Sequence, residues 1–152
     1  AQKKAGRSAK EGNVISYIHP GSKLGVLLEI NCETDFVSNT DDFKALGEDI
    51  AMHIAATSPL GVTREDIPED VIEKEKEIYA EQAKSSNKPD EIIQKMVEGR
   101  VNKYYKENVL LEQDFVKDSN QTIEGLVTTA ISKLGENIVV SRFSRFQLGE
   151  KK

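Results

Sequence analysis

The spacing of apolar residues changes period several times along the chain, and each change predicts an element. Residues 14–19 (VISYIH) and 24–31 (LGVLLEIN) are short runs rich in branched and aromatic side chains. Pro20-Gly21-Ser22 separates them, a turn in which glycine supplies a positive φ. Together they predict an antiparallel hairpin of two strands. From Asn39 or Thr40 the period becomes helical: Phe43, Leu46, Ile50 and Ile54 share one face, and Asp41 and Asp42 sit in the first turn, where negative charge suits the helix dipole. Pro59 and Gly61 end this helical region.

A second helical block starts at Pro68, with a thin stripe of Val71, Ile72, Ile78 and Tyr79. After a turn at residues 85–90 (SSNKPD), a further helix runs from Pro89 or Asp90 to about Glu107, with Ile93, Met96, Val97, Val101 and Tyr104 on one side. Two thinly apolar helices joined by a short turn predict an antiparallel helical hairpin of coiled-coil type, over about residues 68–107, expected to project from the body. Residues 109–117 (VLLEQDFVK) predict a strand or extended segment. Thr122 is placed to cap a last helix with the face Ile123, Leu126, Val127, Ala130, Ile131 and Leu134, stopped by Gly135. Residues 138–146 predict a third strand. Three strands and several helices that do not alternate give an α+β class: a small antiparallel three-stranded sheet packed with helices, plus the hairpin. Residues 1–12 are polar, with Lys3, Lys4, Arg7 and Lys10 against Glu11, and are expected to be a basic linker ahead of a core at 13–150. The absence of an initial Met suggests a module upstream.

Charge and cysteine narrow the function classes. The net charge of −5 argues against a broad nucleic-acid surface. A lone Cys32 cannot form an internal disulfide, and no apolar run approaches the roughly 20 residues that span a bilayer. Candidate chemistry is sparse. There is no phosphate-binding glycine loop of either common type and no nucleophile elbow. His19 and His53 lack metal-ligand spacing to each other or to Cys32. The carboxylate pairs Asp41-Asp42, Glu65-Asp66 and Glu69-Asp70 all stand at helix starts, where capping accounts for them. Neither a cofactor, a metal nor catalysis is expected.

One residue stands out. Phe36 lies between Asp35 and Val37 in a polar connection after the second strand. Local physics favours Phe36 folding back onto the core; the alternative is an exposed anchor for a protein partner, since aromatic residues dominate interface hot spots. His53, near a helix end, is expected at the surface or half-buried.

The stretch GVLLEINCETDFVSN (25–39) resembles the elongation factor Ts family, whose hallmark is a TDFV segment after a hydrophobic strand. AMHIAATSP (51–59), IPEDVIEKE (67–75), KPDEIIQKMVEGR (88–100), LLEQDFVKD (110–118) and LGENIVVSRFSRFQLGE (134–150) resemble further family segments in the same order. The resemblance implies a non-enzymatic guanine-nucleotide exchange factor of translation elongation that binds elongation factor Tu and ejects its GDP. It implies that Thr34, Asp35, Phe36 and Val37 meet the partner's GTPase domain, with Phe36 as a wedge between helices and Asp35 near the magnesium site. It also implies that Met52 and His53 face a different domain of that partner. Long members carry the two hallmarks on tandem subdomains. This chain carries one of each and resembles the short form, implying a homodimer in which each partner touches Phe36 of one protomer and His53 of the other. The location implied is the cytoplasm, or else a plastid stroma or mitochondrial matrix. Two departures from the family pattern are expected: only the basic linker of the helical N-terminal module is read in these residues, and Ser144 stands where short forms can carry a cysteine. A structural dimerisation module within a larger translation-associated protein is the competing reading.

Overall fold

A computed structural model describes residues 4–150. The chain divides into two units, one combining the chain up to Ser58 with that from Asp114 onward, the other Pro59–Gln113.

In the first unit, β1 (Glu11–Ile18) and β2 (Leu24–Cys32) form the expected hairpin, and β5 (Val139–Gln147) pairs antiparallel with the other edge of β2, giving the order β1-β2-β5. The turn closes through the His19 amide on the Leu24 carbonyl at 2.9 Å, with Gly21 at φ 99°. Strand alternation divides the sheet into two faces. Val26, Leu28, Ile30 and Cys32 of β2 point inward and are buried. Val14, Ile18, Leu27 and Phe146 are exposed on the other face.

Helix α2 (Asp41–Thr57) covers the inner face. Thr40 caps it, its hydroxyl accepting the Phe43 amide at 3.2 Å, and the predicted stripe Phe43, Leu46, Ile50 and Ile54 is buried. Gly47 permits the close approach: a Cβ there would meet Ile15 Cδ1 at 1.9 Å. Helix α5 (Ile123–Leu134) buries Ile123, Val127 and Ile131, is capped by Thr122 and ends at Gly135 with φ 78°. The fold is therefore α+β, with a small antiparallel three-stranded sheet as expected.

The segment after β2, a polar connection in the sequence, is a single helical turn, α1 (Asp35–Ser38). One local expectation fails. Residues 109–117 form no continuous strand. Val109 makes one bridge to Gly61, Leu110–Glu112 is a 3-10 turn, and Asp114–Phe115 forms the short strand β3, pairing with β4 (Asp118–Thr122). The sequence of β4, DSNQT, has no apolar residue, so no alternation marks it.

The second unit is the helical hairpin α3 (Glu69–Lys84) and α4 (Asp90–Asn108). Ile67, Ile72, Val101 and Val109 form its buried core, flanked by Val71, Tyr79, Val97, Tyr104 and Tyr105. Ile78 and Met96, expected on the packed stripes, are exposed, because two helices bury only a narrow seam. The base is closed by Leu60 N–H on Asn108 O at 2.8 Å and Leu110 N–H on Gly61 O at 2.9 Å. Arg64 donates two bonds to Glu112, at 2.7 and 2.8 Å, while its guanidinium lies 4.4 Å from the Tyr105 ring centre. The Arg64 bond holds the Glu112 carboxyl below its usual range.

Candidate functional site

The even-numbered residues of β2 face the core up to Cys32. Had the strand continued, Thr34 and Phe36 would face it too. The chain instead changes period. Thr34 takes extended dihedrals (φ −135°, ψ 158°) as the N-cap, and one helical turn follows. Ser38 N–H bonds Thr34 O at 3.2 Å, and Asn39 N–H bonds Asp35 O at 3.0 Å. Helical phase turns Val37 and Ser38 inward, where they are 9% and 3% exposed, and leaves Asp35 and Phe36 in water. Phe36 is 84% exposed. Leaving such a ring in water forgoes roughly 1.5–3 kcal/mol of burial. A large exposed aromatic on a well-held turn is therefore a sign of a contact surface.

The turn is held from both ends. At its start, Glu136, just beyond the Gly135 cap of α5, accepts the Glu33 and Thr34 amides on Oε1 at 3.1 and 3.0 Å and the Thr34 hydroxyl on Oε2 at 2.6 Å. The Glu33 carboxylate in return accepts the Asn137 amide at 2.6 Å and pairs with Arg7 at 2.9 Å. Asn137 Nδ2 donates to the carbonyls of Ala5 and Arg7 at 3.3 and 2.7 Å. At the other end, Asn13 Nδ2 donates to Ser38 O at 2.9 Å, and Thr40 Oγ1 to Val37 O at 2.7 Å. Cys32 is buried beneath the turn, its thiol donating to Thr34 O at 3.1 Å. Burial pushes that thiol's pKa up, so it is a packed group rather than a nucleophile.

Met52 and His53 lie near the end of α2. Met52 is half-buried and, with Tyr17, His19, Leu24, Ala55, Val116 and Arg145, lines a groove of about 500 Å³. His53, expected at the surface or half-buried, is fully buried. It follows Ile50 by three positions and so shares the inward stripe. Its Nδ1 accepts the Val116 amide at 3.2 Å, which puts the neutral ring's proton on Nε2, and its ring centre is 6.0 Å from that of Phe115. In that position the ring supports the β3–β4 turn through the Val116 amide and the Phe115 ring.

Hydrophobic spacing does not reveal Glu136, Glu33 or Asn137 as supports of the turn. The usable sign was three polar residues beside predicted element ends: Glu33 after a strand, Glu136 and Asn137 after a helix-stopping glycine. Among the described residues, no group of three His, Cys, Asp or Glu side chains converges as metal ligands would. No helix among them is long and apolar enough to cross a membrane.

Comparison with known proteins agrees with the family resemblance of the chain as a whole. The sequence model of the family described as Elongation factor TS matches residues 2–150. The chain is similar to the elongation factor Ts of Fervidobacterium nodosum, at 62% identity over 150 residues, covering 99% of this chain and 76% of that protein. It is 55% identical to elongation factor Ts of Thermosipho melanesiensis over 99% of this chain and 76% of that protein. For elongation factor Ts of Geobacter sulfurreducens the identity is also 55%, over 99% of this chain and 69% of that protein. Matching along nearly its whole length, the chain belongs to the elongation factor Ts family.

Proposed function

We propose that this translation elongation factor is a guanine-nucleotide exchange factor that binds elongation factor Tu·GDP and promotes GDP release by disturbing the partner's magnesium and phosphate site. The observation that carries this reading is Phe36, 84% exposed on a turn fixed at both ends. A rigid apolar ring fits a wedge between partner helices, and hot spots of interfaces are aromatic residues of this kind. Asp35, exposed beside it, brings a negative charge toward the metal that holds the nucleotide phosphates. Thr34 and Val37 take part as the cap and the buried anchor of the same turn.

Exchange of this kind needs differential affinity alone. The factor binds nucleotide-free partner more tightly than GDP-bound partner, and only that difference shifts the equilibrium. GDP must then weaken factor binding by the same ratio. No bond is made or broken, so the chain acts in this reading without being an enzyme and without a cofactor of its own.

The second contact is assigned to the groove at Met52, with buried His53 holding the Val116 backbone behind it. A homodimer belongs to the same proposal. The outer sheet face exposes Val14, Ile18, Leu27, Phe146 and Leu148, an apolar surface of the sort that marks association sites. A second copy would cover it in a self-complementary, two-fold arrangement. The setting is wherever elongation factor Tu works, the cytoplasm in a bacterium.

The test is release of a fluorescent GDP from preloaded elongation factor Tu in excess unlabelled GDP. Wild type should speed release, and Phe36→Ala should do so far less while remaining folded. If both behave like buffer, the chain is a structural module and the exchange reading fails. Sedimentation at several concentrations tests the dimer. A strictly monomeric chain with full activity would remove that part.

A further inference from the structure

The carboxylate of Glu136 is half-buried and occupied entirely by the start of the Phe36 turn. One residue carrying α5 into β5 thus satisfies two backbone amides and a hydroxyl about a hundred residues away in sequence. Glu33 answers by accepting the Asn137 amide at 2.6 Å, so the two acidic residues lock the ends of β2 and α5 together reciprocally. Without Glu136 the Glu33 and Thr34 amides lose their acceptor. Asp35 would then be free to carry the extended backbone on past Thr34, the phase in which Phe36 faces the core. We propose that Glu136 is a positioning residue for nucleotide exchange: by capping Thr34 it fixes the phase of the α1 turn and keeps Phe36 presented to the partner. This rests on the exchange-factor reading, but the clamp itself is measurable on the protein alone.

Bonds to a charged acceptor are about twice as strong as neutral ones, so their loss is felt locally. In amide hydrogen exchange of the free protein, Glu136→Ala should speed exchange at Glu33, Thr34, Ser38 and Asn39 by about tenfold or more, with α2 unchanged. In the GDP-release assay the same variant should lose about tenfold of the stimulation, and Glu136→Gln should stay within about threefold of wild type, because it keeps one acceptor oxygen for the two amides. The deciding arm is coupling. In a Phe36→Ala background, Glu136→Ala should add less than about twofold, since its effect runs through that ring. Should Glu136→Ala not fold, Thr34→Val, which removes only the hydroxyl bond, replaces it in each arm. Unchanged amide exchange in the turn, or effects that multiply with Phe36→Ala, would overturn the proposal. If wild type does not stimulate release at all, the exchange reading falls, and amide exchange still decides the clamp.

Discussion

The tripeptide Asp-Phe-Val occurs twice, at 35–37 and at 114–116, and the two copies are inverted in exposure. In the first, Phe36 is 84% exposed and Val37 9%. In the second, Phe115 is 5% exposed and Val116 47%. The first lies on a helical turn, the second on a two-residue strand leading into a hairpin turn. The same three side chains therefore serve opposite ends, because backbone phase decides which one faces the core. A distant side chain bonds the backbone at each copy: Glu136 accepts the Thr34 amide in the first, and His53 accepts the Val116 amide in the second.

The largest expected effect comes from emptying the second copy's pocket. Phe115→Ala should cost about 3–5 kcal/mol in urea unfolding, since it opens a cavity beside His53. A loss below about 1 kcal/mol would mean that Phe115 is not the anchor of its segment. Phe36→Ala should reverse the pattern. Its stability should stay within about 0.5 kcal/mol of wild type, while binding to elongation factor Tu weakens by about 2 kcal/mol, roughly 30-fold, in a titration. If instead it unfolds the protein, the ring is core and the comparison collapses. Val37→Ala removes two buried carbons and should cost about 1.5 kcal/mol in the same melts. Val116→Ala, at an exposed turn, should shift stability by no more than about 0.5 kcal/mol. The stability order should thus be Val over Phe in the first copy and Phe over Val in the second. A shared order would show that phase does not govern them.

Much of the fold was legible. The stripe of α2, the face of α5 with its Thr122 cap and Gly135 stop, and all three strands of the main sheet follow from period and punctuation. Strand β4 was not legible, because its polar residues carry no alternation. The packed sides of α3 and α4 were only partly so, since Ile78 and Met96 share helical spacing with residues that are buried and yet stay in water. At the candidate site, the Thr34 to Val37 hallmark was readable through family resemblance, whereas local physics pointed Phe36 the wrong way. For His53 the error ran in the opposite direction: a titratable ring near a helix end was expected at the surface or half-buried, and a hydrogen bond from the backbone lets it sit fully inside.

By itself the sequence determined the α+β class, the helical hairpin and the family. Periodicity and turn residues act over a few neighbours, and the ordered segments are written directly in the chain. Tertiary structure alone decided that Phe36 faces water and His53 does not. Those outcomes depend on acceptors and donors supplied by residues far along the chain, Glu136 and Val116, whose meeting no local pattern encodes.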